Sequence, residues 1–201
     1  MQLKPFPYHL AVADSLERLR PPHWEWFVRE HAGARYQAVT SADLSQHATL
    51  APDRDGERRA YSAAKAASDR LGLAAPVTLH RARAAAARAG ARLAFMPDAI
   101  VIVVAGDFLE ALSDDTELTA ALGREIARFK LYSDLDGRLH AAESMLGWML
   151  RRDDCPAEII ETATRLRIMT EAYCDIGGLV ACEDRDALVH ALFKTTSGAN
   201  A

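Results

Sequence analysis

Apolar and polar positions alternate with a helical period over most of this chain. After an extended lead, Pro5-Phe6-Pro7-Tyr8, Leu10, Leu16 and Leu19 share one face of a helix expected from about His9 to Arg20. Pro21-Pro22 breaks it and precedes a second helix, His23-Trp24-Glu25-Trp26-Phe27-Val28-Arg29-Glu30. Tyr36 to Leu50 is weakly patterned, and Ala51-Pro52-Asp53-Arg54-Asp55-Gly56 has loop chemistry. An Ala-rich amphipathic helix then runs from Glu57 to Leu71 and stops at Gly72.

The period changes in the middle of the chain. Pro76-Val77-Thr78-Leu79-His80 opens as a strand, and Arg92–Phe95 and Ile100–Val104 read as two more, joined by a Met96-Pro97-Asp98 turn. Between them, Arg81 to Ala89 is rich in Ala and Arg; the strand should end near Arg83, with a turn or short helix after it. A short helix is expected at Asp107–Leu112. Ser113-Asp114-Asp115-Thr116-Glu117 then starts a long helix to about Tyr132, with a polar cap and acidic first turn. Past the Asp134-Leu135-Asp136-Gly137 turn, helices are expected at Arg138–Arg151, Pro156 to about Cys182, and Asp184–Lys194, before a small polar tail. The predicted class is α+β: mostly helical, with a small sheet of about three strands.

Several stretches, taken in order, resemble the HtpX-like and CAAX-prenyl-protease-like zinc peptidases of the gluzincin group, in a soluble bacterial branch. Pro7-Tyr8-His9 with Trp24-Glu25-Trp26-Phe27 resembles the amino-terminal signature, and Leu71-Gly72-Leu73 with Pro76-Val77-Thr78-Leu79 the lead into the sheet. Ala94-Phe95-Met96-Pro97 through Ile100-Val101-Ile102-Val103 resembles the active-site hairpin, and Leu112 to Gly123 the approach to the metal-binding helix. The resemblance implies a single zincin-like domain: a helical part over 1–72, sheet and former metal helix over 73–132, C-terminal helices over 133–195 and a tail at 196–201.

It also exposes a departure. In that family H-E-x-x-H places two imidazoles one helical turn apart on one zinc ion, the Glu acts as general base, and a carboxylate from a later helix is the third ligand. Here the string is Arg124-Glu125-Ile126-Ala127-Arg128. Carried over by position, Arg124 and Arg128 stand at the histidines, Glu125 at the base, Glu171 at the third ligand, and Asp175 completes the downstream Glu-x-x-x-Asp. A guanidinium stays protonated and has no lone pair to give a metal. The expectation is therefore no bound metal, no cofactor and no catalytic residue. Alone, such a string is a charged helix face with weak i,i+4 support; the flanking resemblance gives it meaning. The Asn-Ala pair that grips substrate in active relatives is also gone, the nearest match being Gly90-Ala91.

Two positive charges stand where a dication would sit. This suggests that Arg124, Arg128 or both pair with Glu171 or Asp175 and tie the two helices together. The implied function is a pseudopeptidase serving as a protein- or peptide-binding, regulatory or scaffold module, as a homodimer or beside an active paralogue. The rival is a hydrolase with a rebuilt site drawing on Glu125, Glu171, Asp175 and His140.

Composition narrows this only a little. A net charge of −4 over 201 residues excludes the strongly basic balance typical of nucleic-acid binding, and Arg81, Arg83, Arg88 and Arg92 lack interleaved aromatics. No apolar run reaches membrane-spanning length. The N-terminus lacks signal-peptide features, and the three cysteines, Cys155, Cys174 and Cys182, are expected as ordinary semi-buried thiols in a reducing cytoplasm. The histidines His9, His23, His31, His47, His80, His140 and His190 form no metal-like cluster and are expected mostly at the surface or helix ends. Trp24, Trp26 and Phe27 are expected in the core or as a docking staple, with an exposed partner patch as the alternative.

Overall fold

Nine helices and four strands follow one another in the computed structural model, which describes residues 3–19, 21–32, 34–83 and 89–197. The helices are α1 (Pro7–Leu19), α2 (Pro21–Ala32), α3 (Ala34–Leu44), α4 (Asp55–Arg70), α5 (Phe108–Ala111), α6 (Asp115–Ser133), α7 (Arg138–Met149), α8 (Ala157–Cys182) and α9 (Arg185–Ser197). The strands are β1 (Ala48–Thr49), β2 (Val77–Arg81), β3 (Gly90–Met96) and β4 (Ala99–Ala105). The class is α+β, mostly helical with a small mixed sheet.

The strand count corrects the expectation of about three. The sheet has four strands in the order β1-β2-β4-β3, and the additional one lies in the stretch read as weakly patterned. Two residues carry no visible alternation; β1 exists because Ala48 and Thr49 pair antiparallel with Arg81 and His80. That stretch also holds α3. Other boundaries move less: β2 ends at Arg81, β3 begins at Gly90, α7 ends at Met149 and α9 continues to Ser197. Arg88, the turn or short helix expected after Arg83, and the end of the tail lie outside the described residues.

β4 is the centre of the sheet, parallel to β2 and antiparallel to β3 through the Pro97-Asp98 hairpin. It is buried on both faces, which explains its nearly unbroken apolar sequence. Ile100, Ile102 and Val104 face the main core. Val101 and Val103 face a smaller cluster with Leu44 and Ala94.

α6 crosses the middle of the molecule, packed against α4, α8, α9 and β3. Asp114 caps it, its carboxylate accepting from the backbone N–H groups of Thr116 (2.8 Å) and Glu117 (3.0 Å). It ends in the turn whose Asp136 and Gly137 take left-handed conformations. The main core collects side chains from Leu3 through Leu79, Ile102 and Leu122 to Ala191.

His9 is an exception to the expectation that most histidines lie at the surface or helix ends. It is fully buried between Phe6 and Tyr173, and desolvation lowers its pKa to about 4, so it is neutral across the physiological range. The aromatic trio divides: Trp24 and Phe27 are buried, whereas Trp26 is 45 % exposed. No described helix is long and apolar enough to cross a membrane.

Candidate functional site

α6 and α8 approach closely because small residues line the contact. A Cβ placed on Gly123 would overlap the Ala181 methyl, and one on Gly177 would overlap that of Ala127. A Cβ on Gly178 would stand 2.9 Å from the Ala120 carbonyl oxygen and 2.8 Å from the Arg124 Cγ. With the backbones this near, charged side chains one turn apart on each helix meet directly.

Arg124 bridges both acids of α8. Its Nε donates to Asp175 Oδ1 and its Nη2 to Glu171 Oε2, each at 2.7 Å. Arg128 Nη2 donates to Glu171 Oε1 at 2.8 Å. Glu171 thus holds one guanidinium on each oxygen, an arrangement of short charge-assisted bonds. Burial alone would raise its pKa; Arg128 and then Arg124 outweigh that and hold the carboxyl below its usual range. Arg128 loses hydration through burial, yet Glu125 foremost among its neighbours keeps its pKa above the ordinary value.

Glu125 points the other way, toward the sheet. Its Oε2 accepts the backbone N–H of Leu93 at 2.9 Å and lies 3.5 Å from Arg128 Nε. β3 is an edge strand, so Leu93 would otherwise offer that N–H to an added chain. At this position the edge is already occupied from within. Three carboxylates, Glu125, Glu171 and Asp175, face two guanidiniums, leaving one net negative charge.

A second polar group was not foreseen from the sequence. Glu143 on α7 accepts from the Tyr132 hydroxyl (2.5 Å) and the Thr170 hydroxyl (3.0 Å). Desolvation raises its pKa despite those two hydrogen bonds and the nearby Arg128. Only one signal pointed here: Tyr132 lies one turn beyond Arg128, and Thr170 directly precedes Glu171. Nothing in the local sequence singles out Glu143. A cavity of about 210 Å³ opens beside this group, lined by Arg128, Glu143, Leu150, Arg167, Thr170 and Glu171.

His140 packs its ring against Phe95 and Tyr132. Cys174 is buried behind the arginines, and desolvation pushes its pKa up to about 12, so its thiol is inert at neutral pH. Cys182 is also buried and Cys155 partly exposed.

The residues present do not fit zinc. Both positions facing Glu171 from α6 carry cations without lone pairs, and each oxygen of Glu171 already accepts from one of them. Among the described residues no group of three or more His, Cys, Asp and Glu side chains is arranged to hold a metal ion. Comparison with protein-family profiles, with curated proteins and with solved structures yields no match to this chain.

Proposed function

We propose that this chain is a zincin-like metallopeptidase domain whose metal has been replaced by two guanidiniums. It no longer cleaves peptides and serves as a protein- or peptide-binding, regulatory or scaffold module. The observation that carries this reading is the pairing of Arg124 and Arg128 with Glu171 and Asp175 across α6 and α8. Each arginine occupies the position of a zinc-binding histidine in the H-E-x-x-H string. Together they bring the two positive charges that a zinc ion would bring, to a carboxylate at the third-ligand position.

Restoring the histidines tests the reading. Arg124→His with Arg128→His is expected to bind about one zinc per chain, with Glu171 as the third protein ligand. The same variant with Glu171→Ala should lose that zinc. The reading fails if the double-histidine protein is folded by circular dichroism and takes up no zinc. It also fails if the unaltered protein hydrolyses an unfolded substrate and loses that activity with Glu171→Ala, which would favour a hydrolase with a rebuilt site.

A further inference from the structure

Beside the ion-pair cluster lies a small cavity of about 190 Å³, between the outer edge of β3, the middle of α6 and the end of α9. Its walls include Ala91, Phe108, Ala121, Ala191 and Leu192, and Glu125 and Arg124 reach it from α6. It is smaller than a pocket for a drug-sized ligand.

Three observations define what fits. Glu125 is only 7 % exposed, and its two oxygens are used unequally. Oε2 is committed to Leu93 and Arg128, whereas Oε1 accepts a hydrogen bond from none of the described residues. Glu125 lines the cavity, and an oxygen of its carboxylate that no described residue hydrogen-bonds is free to accept from a ligand there, most strongly from a charged donor.

The backbone supplies a second acceptor. Leu93 N–H points away from β4, since it reaches Glu125, and alternation along the strand turns the N–H and C=O of Ala91 to the same outer side. Among the described residues no strand pairs with β3 there. The local charge agrees: Arg124 is tied to Glu171 and Asp175, and the cluster keeps one negative charge in excess.

We propose that this cavity binds a primary ammonium group on a short aliphatic chain, its N–H donors directed to Glu125 Oε1 and the Ala91 carbonyl. The aliphatic portion lies against Ala121, Ala191, Leu192 and Phe108. The group is either a free small amine or the lysine side chain of a partner protein. This inference rests on the cavity alone and stands whether or not the chain is a former peptidase.

The test is an NMR titration of the whole chain with n-butylammonium chloride at constant ionic strength. Saturable shifts are expected at the amides of Gly90, Ala91, Leu93 and Leu192. n-Butanol, which lacks the charge, and tetramethylammonium, which lacks N–H donors, should not produce them. Glu125→Gln should weaken binding at least about tenfold, the loss expected for a charge-assisted hydrogen bond. Because Glu125 also faces Arg128, Ala121→Leu serves as a second variant: it fills the cavity, leaves every charge in place and should abolish the shifts while the far-UV spectrum is kept. Tighter binding of Nα-acetyl-lysine methylamide than of n-butylammonium assigns the site to a partner's lysine; equal or weaker binding assigns it to a free amine. Shifts scattered over the surface, an equal response to n-butanol, or unchanged binding in a folded Ala121→Leu protein overturns the proposal.

Discussion

The contact between α6 and α8 has two unlike halves. In one, Gly123 and Ala127 meet Ala181 and Gly177 with no room for another methyl group. In the other, Arg124 and Arg128 meet Glu171 and Asp175 near the surface, where the side chain of Glu171 is 40 % exposed. The dry half sets the distance between the helices. The charged half depends on that distance and fixes which residues face each other. Close packing tolerates almost no added volume, whereas partly exposed ion pairs are weakened by water. The first half should therefore carry more of the stability and the second more of the specificity.

The largest effect should come from Gly177→Ala. Helix propensity alone favours Ala by about 1 kcal/mol. Collision with the Ala127 methyl should cost about 3 kcal/mol, the upper range for overpacking, for a net loss of about 2 kcal/mol in urea unfolding. A stabilised variant would break the account of the dry half. Next is Glu171→Ala, which takes one acceptor from each guanidinium and leaves Arg124 with Asp175 and Arg128 with Glu125. Loss of a buried partner costs roughly 3–5 kcal/mol, but exposure of Glu171 lowers the expectation to about 1–2 kcal/mol. If this variant loses more than Gly177→Ala, the ranking of the halves is reversed.

The smallest effect is a dependence on pH, with opposite signs for two neighbouring acids. Glu171 has a depressed folded pKa, so its contribution is present above its ordinary value of 4.5 and lost as pH falls through the folded value. Glu143 has a raised folded pKa, so its contribution is present below 4.5 and lost as pH rises through the folded value. Glu143→Gln, which keeps an acceptor for Thr170, should accordingly stabilise the protein by up to about 1 kcal/mol at pH 8 and not at pH 4. Melting temperatures from pH 8 down to well below pH 4.5 check both signs.

How far these halves were legible in the sequence follows from how local their signals are. The charged half was visible: Arg124 and Arg128, then Glu171 and Asp175, are each spaced one helical turn apart. The packed half was not, because Gly123, Gly177 and Gly178 gain meaning only when the other helix is in place. β1 escaped notice for a related reason, since two residues with no periodicity become a strand only against His80 and Arg81. Glu143 is the extreme case. Its partners come from α6 and α8, and only the tertiary arrangement unites them. Long periodic helices such as α6 and α8 were read nearly to their ends, since each carries its own start and stop signals.

The two guanidiniums that join α6 to α8 are covalent parts of the chain. A junction closed by a bound ion gains stability with the logarithm of the free ion concentration and loses it to any stronger chelator. Here that dependence vanishes. The junction forms as one intramolecular event, whatever the supply of trace elements around the protein. Its strength responds instead to ionic strength and acidity.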